Sequence, residues 1–188
     1  MGSAAEVLRG YNGGFSGFTT ADKAAVKTMF QTKFYPALNQ MSTWNGNVDL
    51  TQIDAMLNLA VFNEDAAEFD LTISRLNARN TSYLYMASDN ITQNNALWFN
   101  PVSYANGLGQ ETCRHEPPAA ADNGHHMQVA LASVYRAAEV AWNQGVDYYG
   151  QQRARYVAAV ELLAKMENTG SMQGLCSVNT TNPAPFNT

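Results

Sequence analysis

Charge is scarce in this chain. Charged residues fill 14% of its 188 positions, and acidic side chains outnumber basic ones enough to leave a net charge of −5. That balance argues against nucleic acid as a partner, because a phosphate backbone is held by clustered Lys and Arg. It leaves an anionic glycan open, since a local cationic patch decides that encounter rather than net charge. No apolar run approaches the roughly 18 residues of a membrane-spanning helix, so no membrane partner is expected. There is no Gly-rich phosphate loop, no internal repeat and no strand-rich region. Cysteine is scarcer still: Cys113 and Cys176 are the only two. Neither lies in a C-x-x-C pair, so the spacing does not point to zinc, and no metal or cofactor is expected.

The two cysteines leave two readings. They are a pair of buried thiols, or one disulfide closing a loop of about 60 residues, worth ~4 kcal/mol on the loop-entropy account. A disulfide is expected. Asn80, Asn90 and Asn179 each head an N-x-[ST] sequon, which points to a secreted glycoprotein.

What is present is apolar and helical. Hydrophobic residues make up 46% of the sequence, enough for one globular domain over 1–188. A short helix fits Ala4–Arg9. Thr20 can cap a helix running to about Met41, with Val26, Met29, Phe30, Phe34, Ala37 and Leu38 inward and Pro36 as an interruption. STWNGN reads as a loop. A second long helix fits about Asp49 to Phe62, and a third about Glu64 to Asn77, as a tight hairpin. From 80 to 124 no periodicity is clear, and a long irregular stretch in a compact domain is usually functional. A helix from Met127 to Gln144 carries an apolar stripe of Met127, Ala130, Leu131, Val134, Ala138, Ala141 and Trp142. Asp122 or Asn123 suits its start and Gly145 its end. A last helix fits about Gln151 to Met166, with Val157, Val160, Leu163 and Ala164 inward. The sum is an all-α fold of successive hairpins.

The reactive side chains crowd ahead of that stripe. Gln110, Glu111, Cys113, Arg114 and all three histidines (His115, His125, His126) lie within 17 residues of each other. GLGQETCR, followed by HHMQVALASVYRAAEVAWNQGVDYYG, resembles the alginate lyase-like polysaccharide lyases. Members carry a QE-x-CRD segment, a GH-x-Q or HH-x-Q helix start and an AWNQG-x-D-x-YG helix end. NGNVDLTQIDAMLNLAVFNEDAAEFD and SYLYMASD match too, so the resemblance spans roughly Ala5 to Gly174. It implies an (α/α) toroid of helical hairpins around a cleft. Relatives are longer, so the chain is expected to hold the middle of a toroid. Further segments or a second copy of the chain would then cover its open edges.

The resemblance also implies a reaction, β-elimination on a polyuronate. The substrate's C5 carboxylate is neutralised, a base takes the C5 proton, and an acid protonates the leaving O4. His126 matches the family's histidine. It falls in a helix's first turn, where the positive end of the dipole favours the neutral imidazole a base needs. Asn45 and Asn47 match the carboxylate-neutralising asparagine region, although Asn-Gly is also ordinary turn chemistry. Arg114 is suited to a bidentate grip on a uronate, or to a structural ion pair. His125, Gln110, Gln128, Tyr83 and Tyr85 are candidates to line the sugar path. Two departures stand out. HEPPAAA separates Arg114 from Asp122, and Val48 stands where relatives have an aromatic residue. Two functions are therefore expected in competition: an extracellular lyase on an alginate- or glucuronan-like chain, or a non-catalytic structural or glycan-binding protein on the same scaffold.

Overall fold

The structure, a computed structural model, describes residues 1–40, 46–89, 106–109 and 125–169. Of these, 80% are helical and the only sheet among them has two short strands, so the fold is all-α as expected. In chain order come α1 (Gly2–Gly10), α2 (Thr20–Met29), a π-helical turn (Phe30–Phe34) and α3 (Tyr35–Leu38). Then follow α4 (Gly46–Asn63), α5 (Ala66–Tyr83), β1 (Leu84–Tyr85), β2 (Leu108–Gly109), α6 (His125–Asn143), α7 (Tyr148–Gln151) and α8 (Arg153–Thr169).

Local chemistry sets the boundaries. Thr19, not Thr20, caps α2: its hydroxyl accepts from Asp22 N while the Asp22 carboxylate accepts from Thr19 N, a reciprocal capping box. Pro36 cannot donate to the carbonyl of Thr32. The helix accommodates it with the π turn just before, where Tyr35 N bonds to Phe30 O. That turn adds a residue and shifts the inward face, so Tyr35 is buried and Ala37, expected inside, is exposed. STWNGN is not all loop, because Gly46 and Asn47 already belong to α4. α4 ends with Glu64 in the left-handed region (φ 57). Its backbone closes on Val61 O and its carboxylate is held by Lys27 at 2.5 Å. Asp65 then caps α5 through Glu68 N. At the end of α6, Gly145 takes φ 83, with Gly145 N on Trp142 O and Val146 N on Ala141 O.

α4 is the central element, buried on two sides. Leu50, Ile53 and Leu57 join a core with α5, α6, α7 and α8. Met56, Leu59 and Phe62 join a second core with Ala5, Phe30 and Tyr35. Phe30 meets Phe62 edge to face at 5.5 Å. Two inward choices from the sequence are corrected here. Val157, Val160 and Ala164 are exposed, and Tyr156, Ala159, Leu162 and Met166 carry the buried face of α8. Trp142 satisfies the stripe spacing but is 55% exposed, one residue round from buried Ala141.

Side-chain bonds fix the helix directions. Thr51 meets Ser133, and Asp54 meets Arg136, at the same offset of 82 residues, so α4 and α6 run parallel. Ser3 meets Asn58, and Arg9 meets Phe62 O and Glu64, so α1 runs parallel to α4 as well. α5 returns antiparallel to α4, its last turns beside Asp49. α8 returns antiparallel to α6, from Tyr156 near Tyr135 to Glu167 near Gln128. Three helices thus form a parallel row with antiparallel returns. No helix of the described residues is long and apolar enough to cross a membrane.

Candidate functional site

Because α4 and α6 are parallel and adjacent, their first turns lie at one end of the molecule. Carrying the offset forward sets Asn47 level with Val129, about 4.5 Å of helix rise from His126. The last turn of α5 arrives at the same end, since Tyr83 donates to Asp49 Oδ2 at 2.9 Å. This end, which carries Asn47 on α4 and His126 on α6, is the rim considered below.

The side chains at this rim differ in access. His125 is exposed and His126 half-buried. Their rings lie edge to face with centroids 5.6 Å apart, although neighbouring helical residues ordinarily diverge. Asn47 is 7% exposed. Its backbone carbonyl accepts from the Thr51 hydroxyl. Tyr83 is fully buried against Asp49, a carboxylate with no solvent exposure that Arg75 and Arg79 also hold. Tyr85 is buried in β1, and burial, then the charge of Asp89, pushes its phenol above the usual range. Both tyrosines therefore serve the core in this fold. Gln128 is exposed and turned to α8, bonded to Glu167 at 2.7 Å, away from α4. Asn45, Gln110, Arg114, Cys113, Cys176, Asn90 and Asn179 lie outside the described residues.

Asn80 is corrected by its surroundings. It is 1% exposed, and its Nδ2, the atom a glycan would occupy, donates to Tyr148 Oη at 2.8 Å and Tyr156 Oη at 3.1 Å. Burial pushes both phenols well above their usual range. This asparagine is a core residue, and its sequon is not a glycan site in the folded chain.

Sequence reasoning missed the polar stripe that runs down from the rim. Asn47, Thr51, Asp54 and Asn58 recur at helical spacing on α4, on the side opposite Asp49. His126, Ser133 and Arg136, at spacings of seven and three, share a face of α6. Thr51 and Ser133 meet at 3.0 Å, and Arg136 Nε donates to Asp54 Oδ2 at 2.8 Å. Half of this pattern was in the sequence: four polar residues of α4 stand at spacings of four, three and four, on one face of the helix. Cleft size does not select this site. A cleft of about 610 Å3 lies at the opposite end, beside Arg9, Glu64, Asp65, Phe69 and Val146. Another of about 500 Å3 lies between α6 and α8, beside Leu131, Tyr135 and Leu163. Among the described residues, no cluster of three or more His, Cys, Asp or Glu is placed to hold a metal ion.

What these residues define is a class, an all-α protein of helical hairpins with a histidine pair and a buried amide at one rim. No family model, no curated protein and no solved structure matches the chain.

Proposed function

We propose that this chain is a secreted polysaccharide lyase acting on a polyuronate, an alginate- or glucuronan-like chain, by β-elimination. His126 takes the C5 proton, the C4–O4 bond breaks as the C4–C5 double bond forms, and O4 leaves with a proton. Asn47 and Asn45, with Arg114, neutralise the C5 carboxylate, which acidifies that proton. The observation that carries this reading is the parallel course of α4 and α6. It sets an amide and an imidazole in first turns at one end, and both services act on adjacent atoms of one sugar ring. The row of parallel helices with antiparallel returns is also the arrangement that an arc of an (α/α) toroid would have.

The low exposure of Asn47 favours a second reading, a non-catalytic structural or glycan-binding protein on the same scaffold. One experiment separates the two. Wild-type protein is incubated with polymannuronate, polyguluronate and glucuronan, and the ultraviolet absorbance of the unsaturated uronate end is followed. The lyase reading expects signal from at least one polymer, and a loss of ~100-fold or more in His126→Ala with helix content unchanged. Full activity in that variant, or silence of the wild type on every polymer, sinks it.

A further inference from the structure

The stripes on α4 and α6 do not stop at the rim. They meet in a hydrogen-bonded seam: Ser3 Oγ to Asn58 Oδ1 at 2.6 Å, Asn58 Nδ2 to Asp54 Oδ1 at 3.0 Å, then Asp54 to Arg136 and Ser133 to Thr51. Arg136 is the cation of this seam, and its side chain is 60% exposed. The guanidinium groups of Arg9, Arg75, Arg79 and Arg155 are shielded and committed to carboxylates or backbone carbonyls. Arg136 has five N–H donors. Its Nε is given to Asp54, and Nη2 reaches Ser133 Oγ at 3.3 Å. Those two contacts hold the guanidinium by its Nε side and leave the Nη1–Nη2 edge of this exposed side chain to accept a carboxylate in a fork.

We propose that Arg136 is a carboxylate-binding residue of a distal subsite, seating a uronate of the same chain whose reacting sugar lies at His126. The ligand class rests on the lyase reading, and the site itself rests on the seam. Arg136 stands about 15 Å along α6 from His126, further than one sugar ring reaches. It therefore touches only substrates of several units. Asp54 is a positioning residue, acting through the guanidinium. The subsite makes recognition length-dependent: short oligouronates meet the rim alone, and longer ones meet rim and seam together.

The test is equilibrium titration of the wild type, Arg136→Ala and the paired variant Asp54→Asn with Arg136→Gln. The paired variant keeps a neutral bond between the helices, so lost folding does not mimic lost binding. The probes are a mannuronate disaccharide and long polymannuronate oligomers, with the glucuronate series in parallel. Both variants are expected to bind long oligomers about tenfold or more weakly, one charge-assisted pair, with little change for the disaccharide. Arg136→Lys restores part of the loss, because a point charge replaces the fork. Unchanged affinity for long oligomers in both variants overturns the proposal, as does a wild type that binds no oligouronate of either length. If the wild type binds long oligomers through Arg136 and never cleaves them, the lyase reading falls and the subsite stands.

Discussion

The phenol of Tyr83 donates to Asp49 Oδ2 at 2.9 Å, so a tyrosine that the sequence offered to a sugar is committed to a buried carboxylate. Asp49 also holds Arg75 and Arg79, tying the first turn of α4 to the last turns of α5. Removing the acid takes the buried counter-charge from two shielded guanidinium groups. Asp49→Ala is expected to lose about 3–5 kcal/mol, and Tyr83→Phe about 1 kcal/mol, by denaturant unfolding. A neutral Asp49→Ala would show that the network is ornamental.

Two aspartates should give opposite pH signatures. Burial raises the pKa of Asp54, against the bonds from Arg136 and Asn58. The folded state thus holds that proton more tightly than the unfolded chain, and the charged form costs stability once pH exceeds the folded pKa. Burial also works to raise Asp89, but the bonds from Arg155 and from Met86 N outweigh it and the pKa falls. Its contribution is full above the unfolded pKa and is lost as pH drops through the folded one. Asp54→Asn should therefore raise Tm at neutral pH, although it gives up the ion pair, and Asp89→Asn should lower it. Both differences should close in acid. Thermal melts across the carboxylate range decide this, and two curves of the same sign would contradict it.

Asn80 should be free of glycan in protein made by a glycosylating host. Peptide mass mapping reads this directly, and a sugar on Asn80 would mean that α5 packs otherwise. Asn80→Ala takes the shared donor from two buried phenols and is expected to cost about 1–3 kcal/mol.

The parts of this fold that were legible were those that local pattern governs. The stripe from Met127 to Ala141 needed only helical spacing, and Gly145 announced its end. The α4–α5 hairpin was legible from two apolar periods separated by a break at Asn63. The last turns of α5 were not. Asn77 to Tyr83 is mostly polar, with little helical preference, and it stays helical because Arg79, Asn80 and Tyr83 find partners on α4, α7 and α8. No local pattern contains those partners. The choice between two faces of α8 failed for a related reason. The valines at 157 and 160 look like core, but the hydroxyl of Tyr156 reaches Asn80 and turns the helix one residue round. At the candidate site, His126 was legible from its helix start. The seam was not, because Ser133 and Arg136 gain meaning only when α4 is laid beside them.

α4 contributes Leu50, Ile53 and Leu57 to one core and Met56, Leu59 and Phe62 to the other. The two cores are therefore unequal in how they can come apart. The layer of α1, α2 and α3 packs on one side of α4 and is tied to α5 by Arg75 to Leu38 O and Asn39 to Glu68, so its loss leaves α4 packed on α5 and α6. α4 itself has no such partial exit, because its loss opens both interiors at once. Opening of this molecule should begin at its N-terminal layer, and the amides of α4 should be among the last to exchange with solvent.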